Sequence, residues 1–211
     1  AFHLDNGALL AYGDIRTFGE LSLIHEGERS LVKGLFTLGP EPLSPEFAPA
    51  YLAQKFRTKR VLKTALLDQR VVGGLGNIYV DEALFMAKLH PERIVNTLTA
   101  IEIEGLYDAV NAVIKAGIED GGTTFRDYQN AEGGSGSHQD KLFVYQRRGK
   151  PCKVCGSVIE RMIIAGRGTH FCPGCQPATP KDGLVLAAPQ DVAICRQLRL
   201  FSDKTRIDPR P

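Results

Sequence analysis

Four cysteines stand in two pairs. Two residues separate Cys152 from Cys155, two separate Cys172 from Cys175, and 16 lie between the pairs. A two-residue gap lets both thiolates of a knuckle reach one tetrahedral ion. The spacing therefore predicts one zinc ion held by Cys152, Cys155, Cys172 and Cys175. With every position taken by protein, the metal is structural rather than catalytic. Two disulfides are the competing reading, which a reducing cytosol disfavours. Cys195, in the tail, reads as a free thiol.

Two further stretches could meet an anion. Between the cysteine pairs, Val158 to Ala165 is β-prone, Gly166-Arg167-Gly168 turns, and Thr169-His170-Phe171 returns. This predicts a β-hairpin with Arg167 at its tip, where flanking glycines leave room to approach a phosphate. An ordinary exposed turn arginine is the alternative. The other stretch is Val71-Val72-Gly73-Gly74-Leu75-Gly76-Asn77-Ile78-Tyr79. Its glycines permit a tight turn between helices, and a helix N-terminus capped by Asn77 would gather backbone N–H groups into an anion site. From Lys55 to Lys63 there are five basic residues and no acid, which suits phosphate contact or a solvated face. No P-loop Gly-Lys-Ser/Thr follows the glycines.

The elements that must position these groups fall into four segments. In residues 1–38, Leu9 to Tyr12 and Leu21 to His25 are short apolar runs. Asp5-Asn6-Gly7 and Glu26-Gly27-Glu28 bound them as turns, so both read as strands. Two or three strands alone are marginal, so this segment reads as the end of a larger β structure. Gly39-Pro40-Glu41-Pro42 is a linker. Four helices are expected over 44–122. Ser44-Pro45 opens the first, 60–70 hold the second, and Asn77 caps a third running to about Lys88. The capping box Thr99-Ala100-Ile101-Glu102 opens a long fourth with Leu106, Val110, Val113 and Ile114 on one face, ended by Gly121-Gly122. Residues 123–140 are polar and loop-like. Residues 142–176 hold short strands around the cysteines, and 177–211 show no periodicity.

Composition narrows the classes further. The 211 residues are 43% hydrophobic, enough for one or two domains with a core and too apolar for a disordered chain. No apolar run reaches the ~18 residues of a membrane helix, and the first residues lack the basic-then-apolar pattern that would read as a signal peptide. The first residue is Ala1 rather than Met, which reads as an incomplete chain. The net charge of +2 hides an asymmetry. Residues 1–50 carry three basic and seven acidic residues, residues 51–176 carry 17 and 13, and the tail carries six and four. From Lys141 to Arg167 there are seven basic residues and one acid, Glu160.

These motifs, in this order, resemble the formamidopyrimidine-DNA glycosylase family of bacterial base-excision repair. The stretches that carry the resemblance are Tyr12-Gly-Asp-Ile-Arg-Thr-Phe-Gly19, Leu38-Gly-Pro-Glu-Pro-Leu43, Thr58-Lys-Arg60 with Lys63, Gly76-Asn-Ile-Tyr-Val-Asp-Glu82, Gly121-Gly-Thr-Thr-Phe-Arg-Asp-Tyr128 and Ala165-Gly-Arg-Gly-Thr-His-Phe-Cys172. They cover about residues 1–176. The resemblance implies an α+β chain. Residues 1–38 would end an N-terminal β-sandwich, 39–140 would be a helix–two-turn–helix module of four helices with a loop capping the lesion, and 141–176 the four-cysteine zinc-finger hairpin. Residues 177–211 would be an unmatched tail. Arg16 and Phe18 match the probes that enter the duplex where the damaged base has left: phenylalanine wedges between base steps and arginine meets the orphaned partner. Lys59, Lys63 and Asn77 match phosphate-contacting positions. Arg167 matches the finger arginine that contacts the lesion phosphate and donates a proton in elimination. Residues 123–137 match the loop that closes over the flipped-out base.

The implied activity is excision of oxidised purines such as 8-oxoguanine and formamidopyrimidines, followed by strand cleavage through β,δ-elimination. The partner would be double-stranded DNA carrying oxidised bases. The protein would act as a monomer, away from membranes, in the bacterial cytoplasm on nucleoid DNA. The family uses an N-terminal proline amine as nucleophile, with an adjacent glutamate and an early lysine. None of these is present, since Ala1 matches a place near the end of the family's first domain, so the chain alone is expected to be inactive. His3 reads as a strand residue. A non-catalytic zinc-finger DNA-binding module and an endonuclease VIII-like glycosylase for oxidised pyrimidines remain as alternatives.

Overall fold

The computed structural model describes residues 1–14, 17–27, 34, 37–123 and 136–178. Arg16, most of the loop after Gly122 and nearly all of the tail, with Cys195, lie outside the described residues.

The chain opens in a short hairpin. Strand β1 (Phe2–His3) pairs antiparallel with β2 (Leu9–Leu10), Phe2 opposite Leu10 and His3 opposite Leu9. The Asp5-Asn6-Gly7 signal makes the turn: Gly7 N donates to Leu4 O, and Asn6 Oδ1 accepts from Ala8 N. The second expected strand, Leu21 to His25, is a correction. No ladder partner lies beside it among the described residues, and Leu23 stands fully exposed. An apolar run becomes a strand only where a neighbour takes its N–H and C=O groups.

Among the described residues four α-helices follow: α1 (Pro49–Lys55), α2 (Leu62–Leu67), α3 (Asn77–Met86) and α4 (Ala100–Glu119). The first begins later than Ser44-Pro45 predicts. Phe47 N closes a turn on Ser44 O, and Pro49 takes the first turn of the helix, where its missing N–H costs nothing. The second is shorter than 60–70. The third is capped by Gly76, so Asn77 is its first helical residue, and it stops at Met86. The fourth has both halves of its capping box: Glu102 N donates to Thr99 Oγ1 and Thr99 N to Glu102 Oε2.

One core joins the four helices. Leu52, Leu66, Leu84, Leu106 and Val110 are fully buried in it, together with Leu75 from the glycine turn. The proline-rich linker is docked rather than free. Gly39 N donates to Gln69 O and Gly73 N to Pro40 O, and a Cβ on Gly73 would lie 2.6 Å from Gly39 O. Only glycine allows that approach.

Helix α3 belongs to two cores at once. Val80, Ala83 and Leu84 face the helical core. Phe85 instead joins Val144, Ile159, Cys152 and Cys172 in a second core beneath the finger, stacked on Phe143 at 5.3 Å between ring centres. The finger itself is a hairpin of β3 (Glu160–Ile164) and β4 (Arg167–Phe171), in register from Glu160–Phe171 to Ile164–Arg167. No helix among the described residues is long and apolar enough to cross a membrane.

Candidate metal centre and nucleic-acid interface

The four cysteine sulfurs converge. Cys152 Sγ lies 3.9 Å from Cys175 Sγ, Cys155 Sγ lies 3.4 Å from Cys172 Sγ, and all four fall within 4.8 Å of one another. A tetrahedron with Zn–S bonds of ~2.3 Å has edges of ~3.8 Å, so the observed separations fit one zinc ion. In each knuckle a backbone N–H points at the first sulfur, Val154 N to Cys152 Sγ and Cys175 N to Cys172 Sγ, both at 3.4 Å. Such donors favour thiolate. Burial pushes the Cys172 thiol up to about 11 and raises Cys175 as well. Burial acts the same way on Cys155, but hydrogen bonds with Ser157, Cys172 and Cys175 together outweigh it and hold that thiol at about 6. Gathering several thiolates without a cation is costly, and a zinc ion supplies the missing charge. It holds the finger together and leaves no coordination position for substrate.

The finger is fixed to α3 by two adjacent carboxylates. Asp81 and Glu82 sit on the helix stripe that also carries Phe85, an i, i+1, i+4 set facing one way. Glu82 is 4% exposed and accepts three backbone N–H bonds. Phe143 N reaches Oε2 at 2.8 Å, while Val144 N and Tyr145 N reach Oε1 at 2.9 Å. Burial raises the Glu82 pKa, against the pull of these donors. Asp81 is fully buried. Its Oδ1 takes Lys63 Nζ at 2.5 Å and its Oδ2 takes His170 N, on β4, at 2.8 Å. Gln176, also fully buried, closes the far end: its Oε1 accepts from Cys172 N and its Nε2 donates to Leu89 O, both at 2.9 Å.

Above this joint the anion-binding candidates assemble. The N-terminus of α3 meets the start of β4, where Asn77 Nδ2 donates to Gly168 O at 3.0 Å. Arg167, the residue before, is exposed and makes no ion pair among the described residues. Its place differs from expectation. The turn is Ala165-Gly166 alone, both with positive φ (49° and 73°), a geometry that matches the right-handed twist of a hairpin. Arg167 is thus the first residue of β4, opposite Ile164, rather than the tip of a three-residue turn.

Lys63 stands apart from the other basic residues of its segment. Expected at a phosphate, its ammonium is instead fully buried between Asp81 and the Gly168 carbonyl, 3.2 Å away. Desolvation lowers its pKa against the attraction of Asp81, and the nearby charge of Arg167 lowers it further. Lys59, by contrast, is exposed and unpaired among the described residues. Its neighbour Arg60 pairs with Asp68, which Arg70 also holds. Phe18 stands 84% exposed on a turn in which Asp14 accepts from Thr17 N and Gly19 N. Arg16 is outside the described residues. Asp81, Glu82 and Gln176 were not singled out from the sequence. The available signal was two acids in succession within an otherwise apolar helix, Ile78 to Phe85.

Residues 38–129 match the formamidopyrimidine-DNA glycosylase H2TH domain, and residues 149–178 match the zinc finger found in formamidopyrimidine-DNA glycosylases and isoleucyl-tRNA synthetases. Over 177 residues the chain is 49% identical to the formamidopyrimidine-DNA glycosylase of Symbiobacterium thermophilum, covering 83% of this chain and 58% of that protein. The chain belongs to the formamidopyrimidine-DNA glycosylase family. The enzyme of Desulforamulus reducens is likewise 49% identical over 84% of this chain and 64% of its own length. Among solved structures, the family protein of Thermus thermophilus superimposes with a TM-score of 0.68 at 45% identity, covering 74% of this chain and 59% of that one. A Lactococcus lactis family member in complex with DNA containing an abasic site superimposes with a TM-score of 0.73 at 40% identity, over 79% and 62%. The chain thus spans roughly three-fifths of the family members it matches, 58% and 64% of the two curated relatives.

Proposed function

We propose that the whole protein is a DNA glycosylase and AP lyase. It excises oxidised purines from duplex DNA and cuts the strand by β,δ-elimination, and this chain carries the half that grips the DNA. The observation that carries the reading is the meeting of the α3 N-terminus with the finger strand through Asn77 and the Gly168 carbonyl, which brings Arg167 beside a helix terminus rich in free N–H groups. That arrangement suits one phosphate approached from two elements. Asn77 and Arg167 hold the lesion phosphate, and Lys59 takes a neighbouring one. Phe18 and Arg16 fill the gap left by the extruded base, and residues 123–137 close over that base. Arg167 gives the proton in elimination. Lys63 lies behind this surface as a support.

The domain division follows the same reading. Residues 1–38 end a β-sandwich, 39–140 form the helix–two-turn–helix domain, 141–176 form the finger, and 177–211 are an added tail. The exposed Phe2, Leu9 and Leu10 of the first hairpin would be sandwich surface. The protein works as a monomer in the bacterial cytoplasm.

The test is binding of the zinc-loaded chain to duplexes with and without a tetrahydrofuran abasic analogue. Tighter binding to the abasic duplex is expected, with log affinity falling linearly in log salt, and Phe18→Ala is expected to erase the preference. Borohydride should trap no covalent adduct. Equal, salt-independent binding to both duplexes would overturn the DNA reading, and a trapped adduct would overturn the division of labour.

A further inference from the structure

The ion pair between Lys63 and Asp81 is itself closed off from solvent. Both side chains are fully buried, and their outward contacts all end on β4. Asp81 Oδ2 takes His170 N, Lys63 Nζ reaches Gly168 O, and Asn77 Nδ2 reaches the same carbonyl. Three hydrogen bonds thus seize two backbone positions of a five-residue strand whose first residue is Arg167.

The rest of the finger holds Arg167 weakly. Cys172, the nearest zinc ligand, lies five residues away, about 17 Å along an extended strand. The partner strand β3 is mostly exposed, and the turn is two residues. A two-stranded ribbon on its own is marginal in water. The position of the arginine therefore depends on what clamps β4 from α2 and α3.

We propose that Asp81, acting with Lys63 through the Gly168 and His170 backbone, is a positioning residue for Arg167. It sets the distance between the guanidinium and the anion-binding end of α3. The inference rests on the DNA reading above.

The experiment is a cycle of variants of the zinc-loaded chain: Arg167→Ala, Asp81→Asn, their combination, and Lys59→Ala as a control cation. Each is titrated with the abasic-analogue duplex across a salt series. Loss of one phosphate contact lowers the slope of log affinity against log salt by ~0.9. Arg167→Ala is expected to show that loss and Asp81→Asn most of it, with the combination showing no more than Arg167→Ala alone. Lys59→Ala should add its own loss to either. A merely structural role for Asp81 would lower melting temperature and affinity but leave the slope intact, and would add independently to Arg167→Ala. Either result overturns the proposal. Should Asp81→Asn fail to hold zinc, Lys63→Met/Asp81→Asn serves in its place, since neutral groups of similar volume often replace a buried ion pair without loss of stability. An unchanged slope in Arg167→Ala itself would remove the DNA reading, and the proposal with it. A normal loss there with an intact slope in the Asp81 variants would remove the proposal alone.

Discussion

Replacing Glu82 by Gln should loosen the finger from the helical module while sparing the zinc site. The carboxylate accepts from three backbone N–H groups on its two oxygens. A carboxamide keeps one oxygen. Placed where Oε1 stands, it still serves Val144 and Tyr145, but its NH2 group then faces the N–H of Phe143, donor against donor. One stranded N–H costs ~1–3 kcal/mol, and exchanging a charged acceptor for a neutral one removes about 1 kcal/mol more across the other two bonds. Burial raises the Glu82 pKa, so the wild-type carboxylate already carries a desolvation cost that the amide avoids. The lower half of the range is therefore expected, about 2 kcal/mol. Glu82→Leu strands all three N–H groups and should cost at least ~3 kcal/mol, a large share of a domain's usual 5–15. Urea unfolding with zinc in excess measures the totals. Amide exchange at residues 143–145 shows where the loss falls. A Gln variant within ~0.5 kcal/mol of the parent, the range of ordinary surface substitutions, with unchanged exchange at these amides, would refute the reasoning.

Three further outcomes follow from the geometry. Zinc binding at pH 7 should release two or more protons, because the raised thiols of Cys172 and Cys175 are protonated there and must ionise. Affinity should accordingly fall as pH drops from 8 to 6, and calorimetry in buffers of different ionisation enthalpy counts the protons; a flat affinity contradicts the assignment. Thr99→Ala removes half of the α4 capping box and should cost ~1 kcal/mol in unfolding free energy, with Thr99→Ser restoring most of it. Gly73→Ala places a Cβ 2.6 Å from the Gly39 carbonyl oxygen, a backbone atom that cannot turn aside as a flexible side chain would. A cost of ~1–3 kcal/mol is expected, along with release of the 39–42 linker to proteolysis.

The zinc ligands were legible in the sequence because chemistry fixes their spacing: two thiolates reach one ion from a tight knuckle only at short separation, and the sulfurs duly converge. The α4 cap was legible for the same reason, since both of its partners lie within four residues. The start of α1 was misplaced because Ser44-Pro45 and Ala48-Pro49 both resemble helix starts, and only the turn closed by Phe47 N separates them. Leu21 to His25 misled because an apolar run is necessary for a strand but not sufficient.

Lys63 shows what local pattern leaves out. It sits in a run of five basic residues, and nothing nearby in sequence marks it as different from Lys59. The difference is made by Asp81, 18 residues on, and by Gly168, 105 residues on. A buried lysine is tolerable only where a carboxylate meets it in the interior. The sequence did contain that carboxylate, as one of two consecutive acids in a helix otherwise fit for burial. An acid placed where apolar residues belong raises the question of which cation or N–H group it satisfies. For Asp81 the answer is Lys63 and β4; for Glu82 it is the backbone of 143–145. The two carboxylates that interrupt the apolar pattern are thus the residues that join helices to finger. Because each acts on a partner far along the chain, their presence could be read from the sequence but their purpose could not.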